Sequence, residues 1–436
     1  SGEIDFNDLK GINLIIGKNN TGKTYLSNLL YTYFKVRERQ NIKMDEVVGI
    51  RFKDRLSDSD YETIKDYFEK KYEKEIKDTL PQVFHTSKDT FKDFEIEVDL
   101  SDEILEFKKL DDDTIIYFRE MRKTIKLKKF EDKIEYLMED YDENKGKRYI
   151  TYNRKIEEEE AKQIIFGYFL HIKFFQKIYK FYSFPAERSG AVLFYKQLLE
   201  ERSDVLRELE LGNSENIGKI SRYSEPVNDY VKFLNSISDR SKGLTELDIY
   251  KKLDTELKEI LGGEVIIDLE GNIMFRMNEK KIIDIGMVSS TVKTLTGFYL
   301  YLKYFAMERD IIFIDEIELN LHPENQRKIM KLINYLSKQG IKFIISTHSP
   351  IITEEIDNML LFEKVKDKIN SEEMKEYGIN SEYGLKTSDI NVFHLHNKTV
   401  EKIKEKNGEF EIETFNTVLE ETDNLYQTLL FYAEEK

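Results

Sequence analysis

The eight residues from Gly17 to Thr24 constrain the fold of this chain more than any other feature, because their sequence, GKNNTGKT, fills the pattern G-x-x-x-x-G-K-T. The loop follows a short apolar run, Ile12 to Ile16, and precedes leucine and aromatic residues that are spaced for one face of a helix. Between a buried strand and a helix, this pattern is typical of a phosphate-binding loop.

The residue types of this loop suit a nucleoside triphosphate. The two glycines let the backbone wrap tightly, so that successive N–H groups can point at phosphate oxygens. The lysine reaches the β- and γ-phosphates, and the hydroxyl of Thr24 is a ligand for Mg²⁺. We expect the nucleotide to be bound by Gly17, Asn19, Asn20, Thr21, Gly22, Lys23, Thr24 and Tyr25.

Two further apolar runs, at residues 311–314 and 342–345, are each followed by a polar turn and then by a helical pattern. Their shortness and β-branched content indicate buried strands, and the repetition of strand, turn and helix predicts an α/β fold with a mainly parallel sheet. Longer Lys- and Glu-rich stretches interrupt it. We expect a nucleotide-binding domain at residues 1–36, 178–200 and 262–365, a mixed α/β insertion at 37–177, a helical insertion at 201–261 and a C-terminal tail at 366–436.

Composition excludes several classes of protein. The chain has 68 Lys and Arg against 84 Asp and Glu, a formal net charge of −16, which argues against nucleic-acid binding through global charge. The absence of cysteine excludes disulfide frameworks, thiolate metal sites and cysteine nucleophiles. The sequence contains neither a run of 18 apolar residues nor a cleavable signal pattern, so we expect a cytoplasmic protein without a membrane partner.

Two carboxylates follow the second apolar run directly. Asp315 and Glu316 would reach the carboxyl edge of the sheet, where ligands bind in open α/β folds. We expect Asp315 to hold Mg²⁺, directly or through water, and Glu316 to orient and polarise the attacking water. Two adjacent acids after a strand are also common in a solvated turn, and the neighbouring motifs favour the functional interpretation.

Two more polar segments stand where a γ-phosphate could be bound. Ser346-Thr347-His348-Ser349 follows the third apolar run, and His348 can contact a phosphate there, although a capping or surface histidine is more common. Ser289 and Ser290 begin a predicted helix that also carries Lys293. Capping is the ordinary role of such a serine. The alternative is that Ser289, Ser290 and Lys293 bind the γ-phosphate at the helix N-terminus.

The order of these motifs resembles that of ATPase heads of the ABC type. GKNNTGKT, VSSTVK, IDEIELNLHP and ISTHSP resemble the RecF/SMC-like branch, and specifically the OLD-related ATPases of bacterial anti-phage defence. The segment from Tyr182 to Gly190 also resembles one that these ATPases carry after their first insertion. The resemblance covers three blocks of the chain. It does not extend to the insertions, and the Ser-Gly-Gly-Gln signature of transporter ATPases is absent.

The resemblance implies a P-loop NTPase of the ABC-ATPase head type that hydrolyses ATP with Mg²⁺. It implies a homodimer or higher homo-oligomer in which Ser289, Ser290 and Lys293 of one protomer complete the site formed by the loop of the other. The catalytic residues are then Lys23, Glu316 and His348, and the magnesium ligands are Thr24 and Asp315.

The biological role has two main interpretations, because the divergent signature and the long insertions argue against a third, the nucleotide-binding subunit of a transporter. OLD nucleases continue into a metal-binding nuclease domain, but the residues after Pro350 contain no Asp-x-Asp pair. We therefore expect a sensor or scaffold that controls a separate nuclease or toxin in anti-phage defence. The alternative is a RecF/SMC-like ATPase of DNA repair or chromosome maintenance.

Three minor features bear on these interpretations. Basic residues with interleaved tyrosines in the first insertion would suit nucleic acid, although such charges are usually only solvated. Arg188 is expected to be a solvated charge, and His394 and His396 are expected on a surface strand rather than in a metal site. The basic residues are Arg119, Arg122, Lys123, Lys126, Lys128, Lys129, Lys145, Lys147, Arg148, Arg154 and Lys155.

Overall fold

The computed structural model describes residues 9–17, 21–39, 58–84, 113–118, 123–130, 133–142, 147–156, 180–210, 223–240, 248–396, 399–406, 410 and 424–430. The strands in them are β1 (Ile12–Gly17), β2 (Asp113–Phe118), β3 (Lys123–Phe130), β4 (Lys133–Asp142), β5 (Lys147–Ile156), β6 (Phe181–Phe184), β7 (Gly263–Ile267), β8 (Ile273–Met277), β9 (Ile282–Asp284), β10 (Ile311–Ile314), β11 (Lys342–Thr347), β12 (Ile390–His396) and β13 (Thr399–Ile403). The helices are α1 (Lys23–Arg39), α2 (Asp58–Val83), α3 (Arg188–Glu210), α4 (Glu225–Arg240), α5 (Asp248–Leu261), α6 (Ser290–Tyr304), α7 (Pro323–Lys338), α8 (Pro350–Val365), α9 (Ser371–Glu376) and α10 (424–430).

The chain divides into two compact units. The first contains residues 1–35, 78–92 and 179–436, and the second contains residues 36–77 and 93–178. The last turns of α2, from residue 78 onward, therefore belong to the first unit. The domain boundaries predicted from the sequence stay a prediction. One predicted boundary falls after residue 200, but helix α3 continues through this position without a break.

A mainly parallel sheet forms the centre of the first unit. Among the described residues its strand order is β13-β12-β1-β11-β10-β6, and every neighbouring pair is parallel except β12 with β13. Ile16 is in register with Thr347, and Ile314 is in register with Ile345. The carboxyl ends of β1, β11 and β10 therefore lie side by side. The predicted α/β fold with a mainly parallel sheet is confirmed.

The alternation of side chains along β1 explains how the sheet is covered on both faces. Leu14 and Ile16 point into the larger hydrophobic core, whereas Ile15 points to the opposite face and packs with Leu26 and Phe34 of α1. All six residues of β1 are buried. Helix α1, which follows the predicted phosphate loop, is thus held against the sheet by its apolar face.

The larger core also receives helices from the segment predicted as a helical insertion. Leu234 of α4 and Leu257 of α5 are buried in it, together with much of α6. The predicted hairpin is present as β7 and β8, to which β9 adds a third antiparallel strand. In the C-terminal segment, β12 pairs directly with β1, which places it beside the start of the phosphate loop.

The second unit contains an antiparallel sheet of the described strands β2-β3-β4-β5. Its register brings Asp113, Lys128, Glu135 and Lys155 into one row across the four strands. None of the helices that the structure describes is long and apolar enough to cross a membrane.

Candidate nucleotide site

Three predicted loops meet at the carboxyl edge of the central sheet. The phosphate loop leaves β1, the Asp315–Glu316 pair leaves β10, and the Ser346–Ser349 segment contains the end of β11, which lies between those two strands. In parallel sheets this edge is where ligands bind. The tertiary structure therefore brings together groups that are hundreds of residues apart in the chain.

Lys23 is buried at the start of α1, with only 8% of its surface exposed. Its Nζ atom donates a 2.6 Å hydrogen bond to the carbonyl oxygen of Gly17, across the mouth of the loop. Burial lowers the pKa of this ammonium group, and the negative charges of Glu316, Glu318 and Asp315 oppose that shift. Because water is partly excluded around this lysine, its attraction to the negative charges of a polyphosphate would be stronger than in bulk solvent.

The glycines of the loop meet specific steric demands. A Cβ atom on Gly17 would lie 2.7 Å from the carbonyl oxygen of Leu395 and 2.8 Å from Oγ1 of Thr21, so a side chain does not fit there. Gly22 has a φ of +103°, in the region that favours glycine. Thr24 and Tyr25 are exposed at the first turn of α1, whereas Asn19 and Asn20 lie outside the described residues.

Asp315 and Ser346 form a hydrogen-bonded pair at the ends of β10 and β11. The Ser346 hydroxyl donates to Oδ1 of Asp315 and accepts a 2.8 Å hydrogen bond from the backbone N–H of Glu316. Burial raises the pKa of the Asp315 carboxyl; the hydrogen bond from Ser346 opposes this shift, and the neighbouring charge of Glu316 adds to it. A half-buried carboxylate and the hydroxyl of Thr24 are oxygen donors of the kind that Mg²⁺ prefers, so the donor set fits this ion.

Arg188 at the start of α3 is buried, and the expectation of a solvated charge is wrong. Its Nη1 atom donates to the carbonyl oxygens of Pro185 (3.0 Å) and Asp315 (2.5 Å), and its Nη2 atom donates to that of Glu316 (2.7 Å). Glu316 has a φ of +47°, which non-glycine residues rarely adopt. The guanidinium group thus holds the strained turn that carries both carboxylates.

Glu318 is a residue of the site to which the sequence pattern assigned no role. Its buried carboxylate accepts hydrogen bonds from the Thr347 hydroxyl (2.7 Å) and the His348 backbone N–H (2.8 Å). Its Oε1 atom also lies 3.0 Å from Nδ1 of His348. An ionised carboxylate this close to the ring favours the tautomer that carries its proton on Nδ1. In the sequence, the signal that could have pointed to Glu318 was its position within the motif IDEIELNLHP.

Ser289 takes the ordinary role considered for it. It is the N-cap of α6, and its hydroxyl accepts a hydrogen bond from the backbone N–H of Val292 at 3.4 Å. Ser289 and Ser290 are exposed, and Lys293 is partly buried. The same helix start is linked to the loop after Glu316, because the Thr291 hydroxyl donates to the carbonyl oxygen of Asn320 at 2.7 Å. A role in trans stays a prediction.

The pair His394 and His396 at the end of β12 differs from its expected setting. The side chain of His394 is buried, so the expected surface position is wrong for this residue. The two rings are 5.0 Å apart, and His396 Nε2 lies 3.2 Å from Glu401 Oε2. No group of three His, Asp or Glu side chains in the described part of the chain could hold a metal ion.

A glycine-rich loop, a buried lysine and paired carboxylates at the carboxyl edge of a parallel sheet define a P-loop ATPase fold. The chain belongs to the AAA ATPase domain family, which it matches over residues 1–353.

Three solved structures are similar to this chain over most of its length, at low sequence identity. The SMC head domain from Thermotoga maritima has 10% identity and a TM-score of 0.29, with 91% of this chain and 92% of that chain covered. The Smc head domain with an extended coiled coil, bound to the C-terminal domain of ScpA and derived from Pyrococcus furiosus, has 12% identity and a TM-score of 0.29, with 94% and 93% covered. An SmcHead bound to the C-winged helix domain of ScpA has 11% identity and a TM-score of 0.30, with 91% and 90% covered. Similarity with identities and TM-scores this low does not define a function for this chain.

Proposed function

We propose that this protein binds Mg²⁺–ATP at the carboxyl edge of its sheet and hydrolyses it. The main support for the proposal is that Lys23, the Asp315–Ser346 pair and Glu316 lie together at the carboxyl ends of three adjacent strands. Lys23 binds the β- and γ-phosphates, and Thr24 and Asp315 hold the metal ion. When bound, Mg²⁺ neutralises part of the phosphate charge.

Glu316 is the residue that orients the attacking water. It follows Asp315 directly, its turn is held by Arg188, and its backbone N–H is bound by Ser346. These contacts fix the backbone of Glu316, and its carboxylate would accept a proton from water as the bond to the γ-phosphate forms. His348 follows β11 at the same edge of the sheet, and its Nδ1 atom lies 3.0 Å from the Glu318 carboxylate.

We further propose that two copies of the chain close around ATP, as the resemblance to ABC-type heads implies. Two features support this arrangement: Ser289 and Ser290 are exposed at a helix N-terminus, and the partial positive charge there suits a γ-phosphate. The Thr291–Asn320 hydrogen bond would connect that contact to the loop carrying Glu316. Loss of the γ-phosphate would then weaken the dimer, which makes the interface a switch.

Mixing two inactive variants tests the shared site. Ser290→Arg places a bulky cation at the helix start and should block turnover while leaving nucleotide binding to the monomer intact. Lys23→Ala should lack nucleotide binding. If the sites are shared, a mixed dimer contains one site with both the unaltered lysine and the unaltered serine, and ATPase activity returns. Absence of activity in the mixture, with dimers verified by mass, would contradict the proposal.

The biological role that we propose is a sensor or scaffold that controls a separate nuclease or toxin in anti-phage defence. It rests on the resemblance to OLD-related ATPases. Purification of the tagged protein from its native host should recover a nuclease or toxin, and protection against phage should require both proteins. Protection by this protein alone would count against the role.

The alternative role on DNA is less well supported. In the described sheet of the second unit, Lys128 lies between Asp113 and Glu135, and Lys123 is opposite Asp140. The formal net charge of −16 also argues against binding to phosphate backbones through global charge. Arg119, Arg122 and Lys145 lie outside the described residues. Stimulation of the ATPase by DNA ends, abolished by charge reversal at Arg119, Arg122 and Lys123, would favour the alternative.

A further inference from the structure

An exposed aromatic ring stands beside the phosphate loop. Tyr25 follows Thr24 directly in the first turn of α1, and 70% of its surface is exposed. Its ring stacks on Phe84, with the centroids 5.5 Å apart and the planes 19° from parallel. Because Phe84 covers one face of the ring, the exposed fraction belongs to the edge and the opposite face.

The support beneath this ring is anchored in the core of the first unit. Phe84 comes directly after Val83, the last residue of α2, and Val83 is buried with Leu26 and Leu30 of α1. The backbone N–H of Phe84 donates a 3.0 Å hydrogen bond to the carbonyl oxygen of Leu80. The two stacked rings are therefore held by the same core that holds α1.

The Cα–Cβ bond of Tyr25 tilts toward the phosphate loop, because Tyr25 lies in the first turn of α1. Cα–Cβ bonds in an α-helix tilt toward its N-terminus, and here the N-terminus of α1 is the end of the phosphate loop. A triphosphate bound by Lys23 and Thr24 has its ribose and base extending away from the γ-phosphate. An open aromatic face beside the loop is a surface on which a base can stack.

We propose that Tyr25 and Phe84 form a stacking platform for the base of the bound nucleotide. This inference rests on the proposed binding of ATP. Stacking on an aromatic ring tolerates any base with a π-face and typically changes affinity by about 10- to 100-fold per base. The platform therefore adds affinity for nucleotides over inorganic polyphosphates, and it discriminates weakly between ATP and GTP.

The first experiment compares two ligands that share phosphates and differ in the base. Calorimetric titrations with Mg²⁺ use a non-hydrolysable ATP analogue and inorganic tripolyphosphate. Tyr25→Ala should weaken the ATP analogue by about 10- to 100-fold and tripolyphosphate by less than about two-fold. Tyr25→Phe, which keeps the ring, should retain the affinity of the unaltered protein. Tyr377→Ala is the matched control, because Tyr377 is 68% exposed at the end of α9.

A second experiment observes the stacking directly. The chain has no tryptophan, so Tyr25→Trp creates a single tryptophan at the platform, whose emission can be excited selectively over that of the tyrosines. Its emission should be quenched by the ATP analogue and left unchanged by tripolyphosphate. Tyr377→Trp should respond to neither ligand.

The outcomes separate this inference from the proposed function. If the unaltered protein binds neither ligand, both proposals fail. If it binds both, and Tyr25→Ala weakens them equally or weakens neither, the platform is overturned while ATP binding stands. An unresponsive tryptophan at position 25 under saturating analogue would also overturn the platform.

Discussion

Arg188 Nη2 donates a 2.7 Å hydrogen bond to the carbonyl oxygen of Glu316, in a turn where Glu316 has a φ of +47°. The same guanidinium group binds the carbonyl oxygen of Asp315. Both carboxylate-bearing residues of the site are thus held through their backbones by one buried cation. Because these bonds go to backbone oxygens, Arg188 does not occupy the carboxylates of Asp315 and Glu316.

Replacement of Arg188 should separate hydrolysis from nucleotide binding. Arg188→Met removes all three of these hydrogen bonds, although the carbonyl oxygens of Pro185 and Glu316 keep a backbone N–H donor, and we expect it to lower the free energy of unfolding by about 1–3 kcal/mol. ATPase activity should fall with it, whereas ATP affinity should change little in the folded fraction because Lys23 is unaltered. Urea unfolding and titration with an ATP analogue measure the two effects.

Arg188→Lys is the matched variant for this prediction. A lysine keeps the buried charge but cannot reach all three carbonyl oxygens in the geometry of a guanidinium fork. It should be more stable than Arg188→Met and still hydrolyse ATP slowly. Full activity in Arg188→Lys would contradict the positioning role.

Removal of the loop lysine should abolish useful nucleotide binding. Lys23→Ala deletes the ammonium group that we propose binds the phosphates, and the lost charged hydrogen bonds should weaken Mg²⁺–ATP by ~100-fold. Calorimetric titration measures the change, and Lys404→Ala, on the exposed surface after β13, is the control that should bind as the unaltered protein does. Equal affinity of Lys23→Ala and Lys404→Ala would refute the assignment of the phosphate site.

Glu316→Gln should bind ATP and hydrolyse it very slowly. The amide keeps the size of the side chain but cannot accept a proton from water, so turnover should fall at least ~100-fold. If ATP closes a dimer, this variant should accumulate as that dimer, and its mass with and without ATP measures the effect. Normal turnover would show that another group accepts the proton.

Glu318 variants should report on the orientation of His348. Glu318→Ala removes the carboxylate that lies 3.0 Å from Nδ1 of His348, so the ring should lose the single tautomer that this carboxylate favours, and turnover should fall at least ~10-fold. Glu318→Gln should restore both properties, because the His348 backbone N–H faces the side chain and selects its amide oxygen as the acceptor. The tautomer is read from ¹⁵N NMR of labelled histidine, with His348→Gln identifying the signal. A single tautomer in Glu318→Ala would exclude the role.

Much of the site could be predicted because its parts are local in the chain. The loop from Gly17 to Thr24 is contiguous, and its glycines, lysine and threonine have roles that follow from their spacing. Asp315 and Glu316 follow a run of apolar residues that is short enough to be a buried strand. The same reasoning predicted the parallel sheet, which the structure confirms.

Other features could not be predicted because their partners are distant in the chain. Arg188 and Asp315 are separated by 127 positions, and only the pairing of β6 with β10 brings the two segments together. A sequence pattern assigns an arginine in a polar turn to solvent on average, yet this one is buried. The stacking of Tyr25 on Phe84 likewise depends on where α2 ends against α1.

By itself, the sequence determined the phosphate loop and the order of strands and helices. These features depend on the spacing of apolar residues and the positions of glycines, and both are properties of short stretches of the chain. The tertiary structure alone decided that Arg188 holds the carboxylate turn and that Glu318 holds His348. Those contacts form only when the parallel strands bring their carboxyl ends side by side. A buried charged group is separated from water, so it needs hydrogen-bond partners from other parts of the chain, and only the tertiary structure brings those partners close.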